Sequence, residues 1–319
     1  MKAKMLLFSL ATALTVTSSA SCIRVYYNES SDAQQASKTT KLFTKGNTTT
    51  SISNVTFNRN AKKTVNKEVS IPSFNKISVA QNIEVICDIT NPSGKAKIST
   101  TAAGGKYLKV EVKNGELLIH YDLPNDFYKS KEELATTIHI SANSLQEIEL
   151  SSAASLTLNG DLKEKGDVSI ELSSAASINA GNIECAKLEI EASSAGSFQA
   201  KTITANLDIE STSGAQIKIE TIKGNLDIES TSGAQIQIES LKGNLDIEAT
   251  SASQVTIGNV TATETEIEST SASQIAISNL NSRKLKIEAS SGSTVQANGT
   301  WDSISQSASS EAKIRLNSK

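Results

Sequence analysis

Three kinds of side chain recur in this sequence at a spacing that could do chemistry: carboxylates, serine hydroxyls and glutamine amides. Asp208, Asp227 and Asp246 lie 19 residues apart, and a glutamate follows each of them two residues later. Stacked carboxylates could bind calcium or, as a pair, cleave glycosides. A calcium site, however, needs about six to eight converging oxygens. We therefore favour a solvated acidic stripe over a metal site and predict no metal ligands.

The serines form the most regular set. One serine lies three residues after each of eight recurring glutamates, at Ser152, Ser174, Ser194, Ser213, Ser232, Ser251, Ser271 and Ser291, and Ala or Gly always follows it. A nucleophilic serine needs an adjacent base, but both histidines, His120 and His139, precede this region. We expect a structural role instead, in a narrow corner whose hydroxyls bond along a stack.

The amides supply the candidate binding residues, which form one row at Gln216, Gln235, Gln254 and Gln274. Such a row suits multivalent hydrogen bonding to an extended ligand or a protein partner. The alternative is a surface amide ladder that only stabilises the stack.

An enzymatic function has little support in these residues. A polysaccharide lyase would use acidic calcium ligands and a basic residue, often Arg, but Arg283 is the only Arg within the repeats, and Phe198 is the only aromatic residue between positions 149 and 300. We predict no catalytic residues and no cofactor. The alternative is a carbohydrate-active β-helix enzyme, a lyase or hydrolase with a groove near Tyr121–Lys131 or Arg283.

The elements that carry these residues are short repeats. Eight copies related to ELSSAAS and ESTSGAQ begin at intervals of 22, 20, 19, 19, 19, 20 and 20 residues. A period near 20 residues is typical of a solenoid. Within GNLDIESTSGAQIQIESLK, which begins at Gly224, apolar and polar residues alternate on both sides of a small-residue run. This alternation predicts a strand, a tight corner, a second strand and a turn in each coil.

Two apolar columns should fill the interior of these coils. Ile precedes every repeat glutamate, as at Ile209, Ile228 and Ile247, and an apolar residue such as Ile217 or Ile236 lies seven places after it. β-branched side chains suit a pleated, buried surface. The predicted fold is therefore all-β: a single-domain parallel β-helix (a β-solenoid) with coils of about 20 residues.

The N-terminal region predicts export and anchoring. Residues 1–21 combine Lys2 and Lys4 with an apolar core and a small-residue run that ends at Cys22, which is typical of a signal peptide. The pattern resembles a bacterial lipoprotein signal with Cys22 as the lipidated residue; ordinary secretion is the alternative. Residues 22–67 are polar and basic, and we interpret them as a flexible tether.

The solenoid domain is predicted to span residues 68–319. Its parts are an irregular N-terminal cap (68–142), regular repeats (143–300) and a C-terminal cap (301–319) that contains Trp301 and Ile314–Leu316. Within the N-terminal cap, Lys113-Asn114-Gly115 lies between two alternating runs and predicts a hairpin. Cys87 and Cys185 are distant in sequence, so two buried free thiols are favoured over a disulfide.

Two segments carry a family resemblance. VSIPSFNKISVAQNIEVICDI at 69–89 and YLKVEVKNGELLIHY at 107–121, followed by the SSAAS and TSGAQ repeats, resemble the head-GIN-domain family, whose members are described as autotransporter adhesins. The resemblance covers about residues 69–300. It implies a fold similar to right-handed parallel β-helices and a location in the cell envelope, and it supplies no functional residues.

These observations together predict a non-enzymatic lipoprotein of the bacterial outer membrane that acts as an adhesin or structural binding module. Its expected partners are the membrane through a lipid anchor, a protein or glycan ligand, and further copies of the chain in a homo-oligomer. Nucleic acid is not expected, because the formal net charge is −3 and the repeats carry more Glu than Lys.

Overall fold

A computed structural model of the chain describes residues 14–18, 21–25, 40–43, 49–52, 56–124, 126–127 and 132–318. In the first four of these ranges β1 (Leu14–Ser18) pairs antiparallel with β2 (Ser21–Val25), and β3 (Thr40–Phe43) pairs with β4 (Thr49–Ile52). Most of the predicted signal segment and about half of the predicted tether lie outside the described residues, as does the side chain of Cys22. No helix among the described residues is long and apolar enough to cross a membrane.

The regular secondary structure of the described residues is β-strand, apart from one short α-helix. The N-terminal part contains β5 (Thr56–Phe57), β6 (Val65–Ser70), β7 (Lys76–Val79), β8 (Glu84–Ile89), β9 (Lys95–Thr100), α1 (Ala102–Tyr107), β10 (Leu108–Lys113), β11 (Glu116–Tyr121), β12 (Glu133–Leu134) and β13 (Thr136–Ala142). The repeat region contains β14 (Glu147–Leu150), β15 (Ser155–Asn159), β16 (Leu162–Lys163), β17 (Val168–Leu172), β18 (Ser177–Ala192), β19 (Ser197–Ser211), β20 (Gln216–Lys223), β21 (Leu226–Ser230), β22 (Gln235–Lys242), β23 (Leu245–Ala249), β24 (Gln254–Ser269), β25 (Gln274–Ala289), β26 (Thr294–Ala308) and β27 (Lys313–Ser318).

The repeats stack as parallel coils in register, which confirms the predicted β-solenoid. Each coil pairs with the equivalent residues of the next, so Ile209 lies beside Ile228 and Ile228 beside Ile247. These three side chains are at most 1% exposed, and Ile217 and Ile236 are 2% exposed. Period-2 alternation sends every second side chain inward, so repetition of one coil sequence builds a continuous core.

The corners of the coils are tight turns with left-handed backbone. In a representative corner Ser232 has φ 53° and Gly233 has φ 73°, and the N–H of Ala234 donates to the carbonyl of Thr231 at 3.1 Å. Two consecutive positive φ angles are characteristic of a type I′ turn. The N–H of Gly233 then donates to the carbonyl of Ser251 in the next coil at 3.0 Å.

This geometry corrects the predicted role of the serine column. The main chain, not the hydroxyls, makes the bonds between corners: Ser232 is exposed, and its Oγ receives a hydrogen bond from Thr231 of the same coil at 3.4 Å. Ala or Gly follows the serine because that position requires positive φ, for which a small residue has the lowest steric cost.

The N-terminal cap contains a coil of the same kind, formed by β7 and β8. Its corner is formed by Gln81 at φ 65° and Asn82 at φ 59°, and the N–H of Asn82 donates to the carbonyl of Ser152 at 2.8 Å. The strands of this coil are each covered on both edges: β7 lies between β11 and β14, and β8 lies between β13 and β15. The cap (68–142) was predicted to be irregular as a whole, but its segment 76–89 forms a regular coil that pairs in parallel with the first repeat.

One further prediction about the cap is confirmed, and one of its elements was not predicted. The predicted hairpin is confirmed, because β10 and β11 pair antiparallel around Asn114 and Gly115, at φ 53° and 82°. The helix α1 was not predicted; Thr101 caps it by accepting the N–H of Gly104 at 3.0 Å.

The domain starts before the predicted boundary at residue 68. Strand β6 begins at Val65 and pairs antiparallel with β9. Upstream of it, Arg59 donates from Nε to Oδ1 of Asn82 at 2.9 Å and also binds the carbonyl of Ala153. The last residues of the predicted tether are therefore attached to the solenoid.

At the C-terminal end, residues 301–318 form a further coil and not a distinct cap. Strand β27 pairs parallel with β26, and Ser310 and Glu311 form one more corner at φ 50° and 67°. The sequence pattern hid this coil because Gln306 takes the place of the core isoleucine: it is the register partner of Ile287. On the same coil Ile304 is 40% exposed.

Candidate binding faces

The strand that precedes each corner presents two columns of carboxylates to solvent. We call this surface the acidic face. In its centre Asp208 pairs in register with Asp227, and Glu210 with Glu229. The acidic face consists of Glu147, Glu149, Glu171, Glu189, Glu191, Asp208, Glu210, Asp227, Glu229, Asp246, Glu248, Glu266, Glu268 and Glu288.

Lysines neutralise the ends of the central aspartate column but not its middle. At one end Lys187 Nζ lies 2.6 Å from carboxylate oxygens of both Glu189 and Asp208. At the other end Lys286 Nζ lies 2.5 Å from Glu266 and 2.9 Å from Glu288. These contacts raise the pKa of each lysine above its usual range, because the acceptors stabilise the ammonium form.

The carboxylates between these two lysines hold their protons more tightly than usual. Burial, followed by the charge of Asp208, raises the pKa of Asp227. Burial, followed by the charge of Asp227, raises the pKa of Asp246. Both causes disfavour the ionised form. The acidic face is therefore a ladder of mutually repelling charges.

A shallow groove of about 320 Å³ runs beside Glu149, Glu171, Glu191 and Glu210, and no basic side chain lines it. Burial and then Glu171 raise the pKa of both Glu149 and Glu191. In the described part of the chain, no group of three or more His, Cys, Asp or Glu residues could hold a metal ion.

The strand that follows each corner presents amides instead. The structure brings the four predicted glutamines together: Gln216, Gln235, Gln254 and Gln274 are consecutive register partners. All four are exposed. Their backbone N–H groups bond to the preceding coil, but none of their side-chain amides has a hydrogen-bond partner within the described ranges. Side-chain amides elsewhere do join neighbouring coils.

A second outward column accompanies the first. It contains Gln199, Lys218, Gln237 and Thr256, and a shallow groove of about 370 Å³ runs between the two columns. We call this surface, from Ser197 to Gln296, the amide face. Its columns consist of Ser197, Gln216, Gln235, Gln254, Gln274 and Thr294, and of Gln199, Lys218, Gln237, Thr256, Ala276 and Gln296.

An asparagine ladder, which the sequence analysis missed, shows what a structural amide column looks like. Oδ1 of Asn206 accepts the N–H of Asn225 at 3.3 Å, and Oδ1 of Asn225 accepts the N–H of Asn244 at 3.0 Å. Asn244 in turn accepts the N–H of Thr263 at 3.2 Å. The repeated Gly-Asn dipeptide between coils was the available signal. Asparagine amides are thus used to join coils, whereas those of the glutamine row are not.

The residues considered for catalysis lie apart from both faces. His120 is half-buried in β11, and burial lowers its pKa. His139 is exposed in β13. Phe127, in the predicted insertion, packs edge-on against Tyr107 with ring centroids 5.1 Å apart. Arg283 is exposed, and its carbonyl accepts the hydroxyl of Ser303 at 3.4 Å.

Cys87 and Cys185 are free thiols, as predicted, but only Cys87 is buried. Cys87 is fully buried, and burial raises its pKa to about 12. Cys185 is only half-buried; its pKa is raised to about 11, again mainly by burial. Thiols with raised pKa values carry little thiolate and react slowly, so neither residue indicates a reactive site.

Comparison with known proteins places this rod among adhesin-like domains. Residues 73–259 match the family described as "Putative auto-transporter adhesin, head GIN domain". A "putative adhesin" from Parabacteroides merdae aligns at a TM-score of 0.55 and 15% identity, covering 81% of this chain and 97% of that chain. Another from Parabacteroides distasonis aligns at 0.54 and 14%, covering 81% and 98%. No curated protein sequence matches significantly. At these identities the structural matches show a shared fold.

Proposed function

The chain belongs to the head GIN domain family, and from this premise we propose that it is a non-enzymatic adhesin or structural binding module of the bacterial cell envelope. One observation carries the proposal: the stiff rod presents a row of exposed, unpartnered amides at a constant spacing. Its mechanism is presentation of this face to a protein or glycan ligand.

Repetition supplies the affinity. A single exposed hydrogen bond contributes only about 0.5–1.5 kcal/mol. Four glutamines in consecutive coils lie about 4.8 Å apart along the rod, and the rod holds them in place without a ligand. An extended partner that contacts several rows loses its translational and rotational freedom only once, so each further contact adds to the affinity. The amide face therefore suits long ligands better than small molecules.

Anchoring completes the proposal. Lipid attached to Cys22 would hold the chain on the outer membrane, and the polar segment that follows would separate the rod from the bilayer. The small-residue run before Cys22 supports lipidation. Replacing Cys22 by Ala should move the protein from the membrane fraction to the soluble fraction. A variant that stays in the membrane fraction would contradict the anchor.

Protease treatment of intact cells tests exposure. Cleavage within residues 30–67 should release the rod into the medium, because stacked, hydrogen-bonded coils resist proteases. Release only after permeabilisation of the outer membrane would place the rod in the periplasm and contradict cell-surface adhesion.

Variants of the amide face test binding. Replacing Gln216, Gln235, Gln254 and Gln274 together by Ala should abolish retention of the rod on its target surface. Replacing Glu210, Glu229, Glu248 and Glu268 together by Gln changes an equal number of outward-facing residues on the acidic face and should leave retention intact. Equal loss in both variants would contradict the assignment. Neither variant should release sugars from acidic polysaccharides, and turnover by the unchanged chain would instead support the carbohydrate-active enzyme.

A further inference from the structure

The amide face has a spacing that one partner always matches. We propose that it binds the amide face of a second copy of this chain, with the two rods side by side, an inference that rests on the proposed function and names its partner. Coils in both copies have the same rise, about 4.8 Å for parallel strands. Every row of one copy can therefore meet a row of the other along the whole face, which a surface without this spacing cannot do.

The shape of the face permits interlocking. The groove of about 370 Å³ lies between the two columns and runs through Gln216, Gln235 and Gln254 on one side and Lys218 and Gln237 on the other. A single column of the partner is a ridge of the same kind, so a shift by one column places ridge in groove. Interdigitated amide ladders between flat sheets are the packing seen in steric zippers.

Charge selects this face for contact between copies. Two acidic faces would repel, because each carries carboxylates that few lysines neutralise. The two columns of the amide face contain one charged residue, Lys218, while Glu220 and Glu239 lie exposed at their edge. Two like copies can therefore approach more closely through their amide faces than through their acidic faces.

A sugar chain is a poorer occupant. Sugar-binding grooves use exposed aromatic side chains that stack on the rings. Between residues 149 and 300 the one aromatic residue is Phe198, and it is fully buried. Amide-to-amide contact requires no such platform, since each glutamine offers both a donor and an acceptor to an identical group.

The contact area predicts a weak pair. Six coils of about 4.8 Å and strands of about five residues give a face of about 30 by 17 Å. Pairing two copies then buries on the order of 1,000 Å², at the lower limit for specific interfaces. We expect a Kd of roughly 10–100 µM in solution. Copies concentrated on two membranes would bind far more tightly through many parallel contacts.

The experiment is sedimentation equilibrium of the full chain carrying Cys22→Ala, so that no lipid contributes. The chain should pass from monomer to dimer between about 1 and 300 µM, the range around the expected Kd. The double variant Gln235→Arg/Gln254→Arg should raise Kd at least tenfold by placing like charges at the contact. Thr204→Arg, at an exposed strand position on a different side of the coil, should leave Kd unchanged. Equal thermal stability of the variants shows that all remain folded.

Monomer at every concentration would overturn the inference, as would equal weakening by Thr204→Arg. A retention assay of the rod on its target surface distinguishes failure of this inference from failure of the proposed function. If the chain is monomeric but Gln235→Arg/Gln254→Arg abolishes retention, the face binds a foreign partner and only the pairing of copies is wrong. If the double variant changes neither self-association nor retention, both proposals fail.

Discussion

Removal of one buried hydroxyl should stabilise the rod. Ser230 is 0% exposed, and its Oγ has no hydrogen-bond partner within the described residues. The small inward residue across the same corner is Ala234, which offers no hydroxyl. An unsatisfied buried polar group costs about 1–3 kcal/mol. Replacing Ser230 by Ala removes that cost and leaves a void of one oxygen atom, so the free energy of unfolding should rise by about 1 kcal/mol.

The seventh repeat provides the matched control. There Ser269 occupies the position equivalent to Ser230, but its Oγ lies 2.8 Å from Oγ of Ser273. Ser269→Ala should therefore lower the free energy of unfolding by about 1 kcal/mol. Thermal unfolding checks both changes, with Tm shifts of about 2 °C in opposite directions. A loss of stability in Ser230→Ala equal to that in Ser269→Ala would refute the reasoning. Ala234→Ser, which supplies the missing partner, should also stabilise the chain.

Three further predictions follow from the geometry. Gly233→Ala should lower the free energy of unfolding by about 1 kcal/mol because φ is 73°, although space is available; no loss in urea unfolding would contradict the role of φ. The raised pKa values of Asp227 and Asp246 give a contribution to stability that is fully present below the unfolded carboxyl pKa and is lost as pH rises through the folded pKa. The unfolding midpoint, measured between about pH 3.5 and 7, should therefore decrease less steeply with rising pH in Asp227→Asn than in the unchanged chain. An equal slope in both proteins would contradict repulsion among the stacked carboxylates. Arg59→Ala should speed hydrogen exchange and proteolysis upstream of β6 while the repeats stay protected; equal protection in both proteins would show that the Arg59 contacts do not hold this segment.

The repeats show how far local pattern can be taken. Alternation identified the inward columns around Ile228 and Ile236, and recurrence of that pattern implied the register that places Gln235 beside Gln254. Both inferences work because a solenoid coil contacts only its neighbours. When neighbouring coils share a sequence, the residues at equivalent positions of the aligned repeats are the residues in contact.

The corner conformation could not be deduced from residue types. Ser and Ala ordinarily avoid positive φ, yet Ser194 and Ala195 adopt 50° and 62°. The hydrogen bonds between successive corners, such as the 3.1 Å bond from Ala195 N–H to the carbonyl of Ser213, compensate for this local cost. A cost offset by contacts about 20 residues away is invisible to local propensity.

The sequence by itself determined the coil, its core columns and the chemistry of its two faces, because each depends on a period that can be read along the chain. Only the tertiary structure decided which strands cover the first coil and that a further coil follows the last repeat. Strands β11 and β13 follow β7 and β8 in sequence but stack on their outer edges, and Gln306 extends the stack without the core isoleucine. These features depend on edge-to-edge hydrogen bonding between segments that are distant in sequence. The repeat period of the sequence does not predict such pairing.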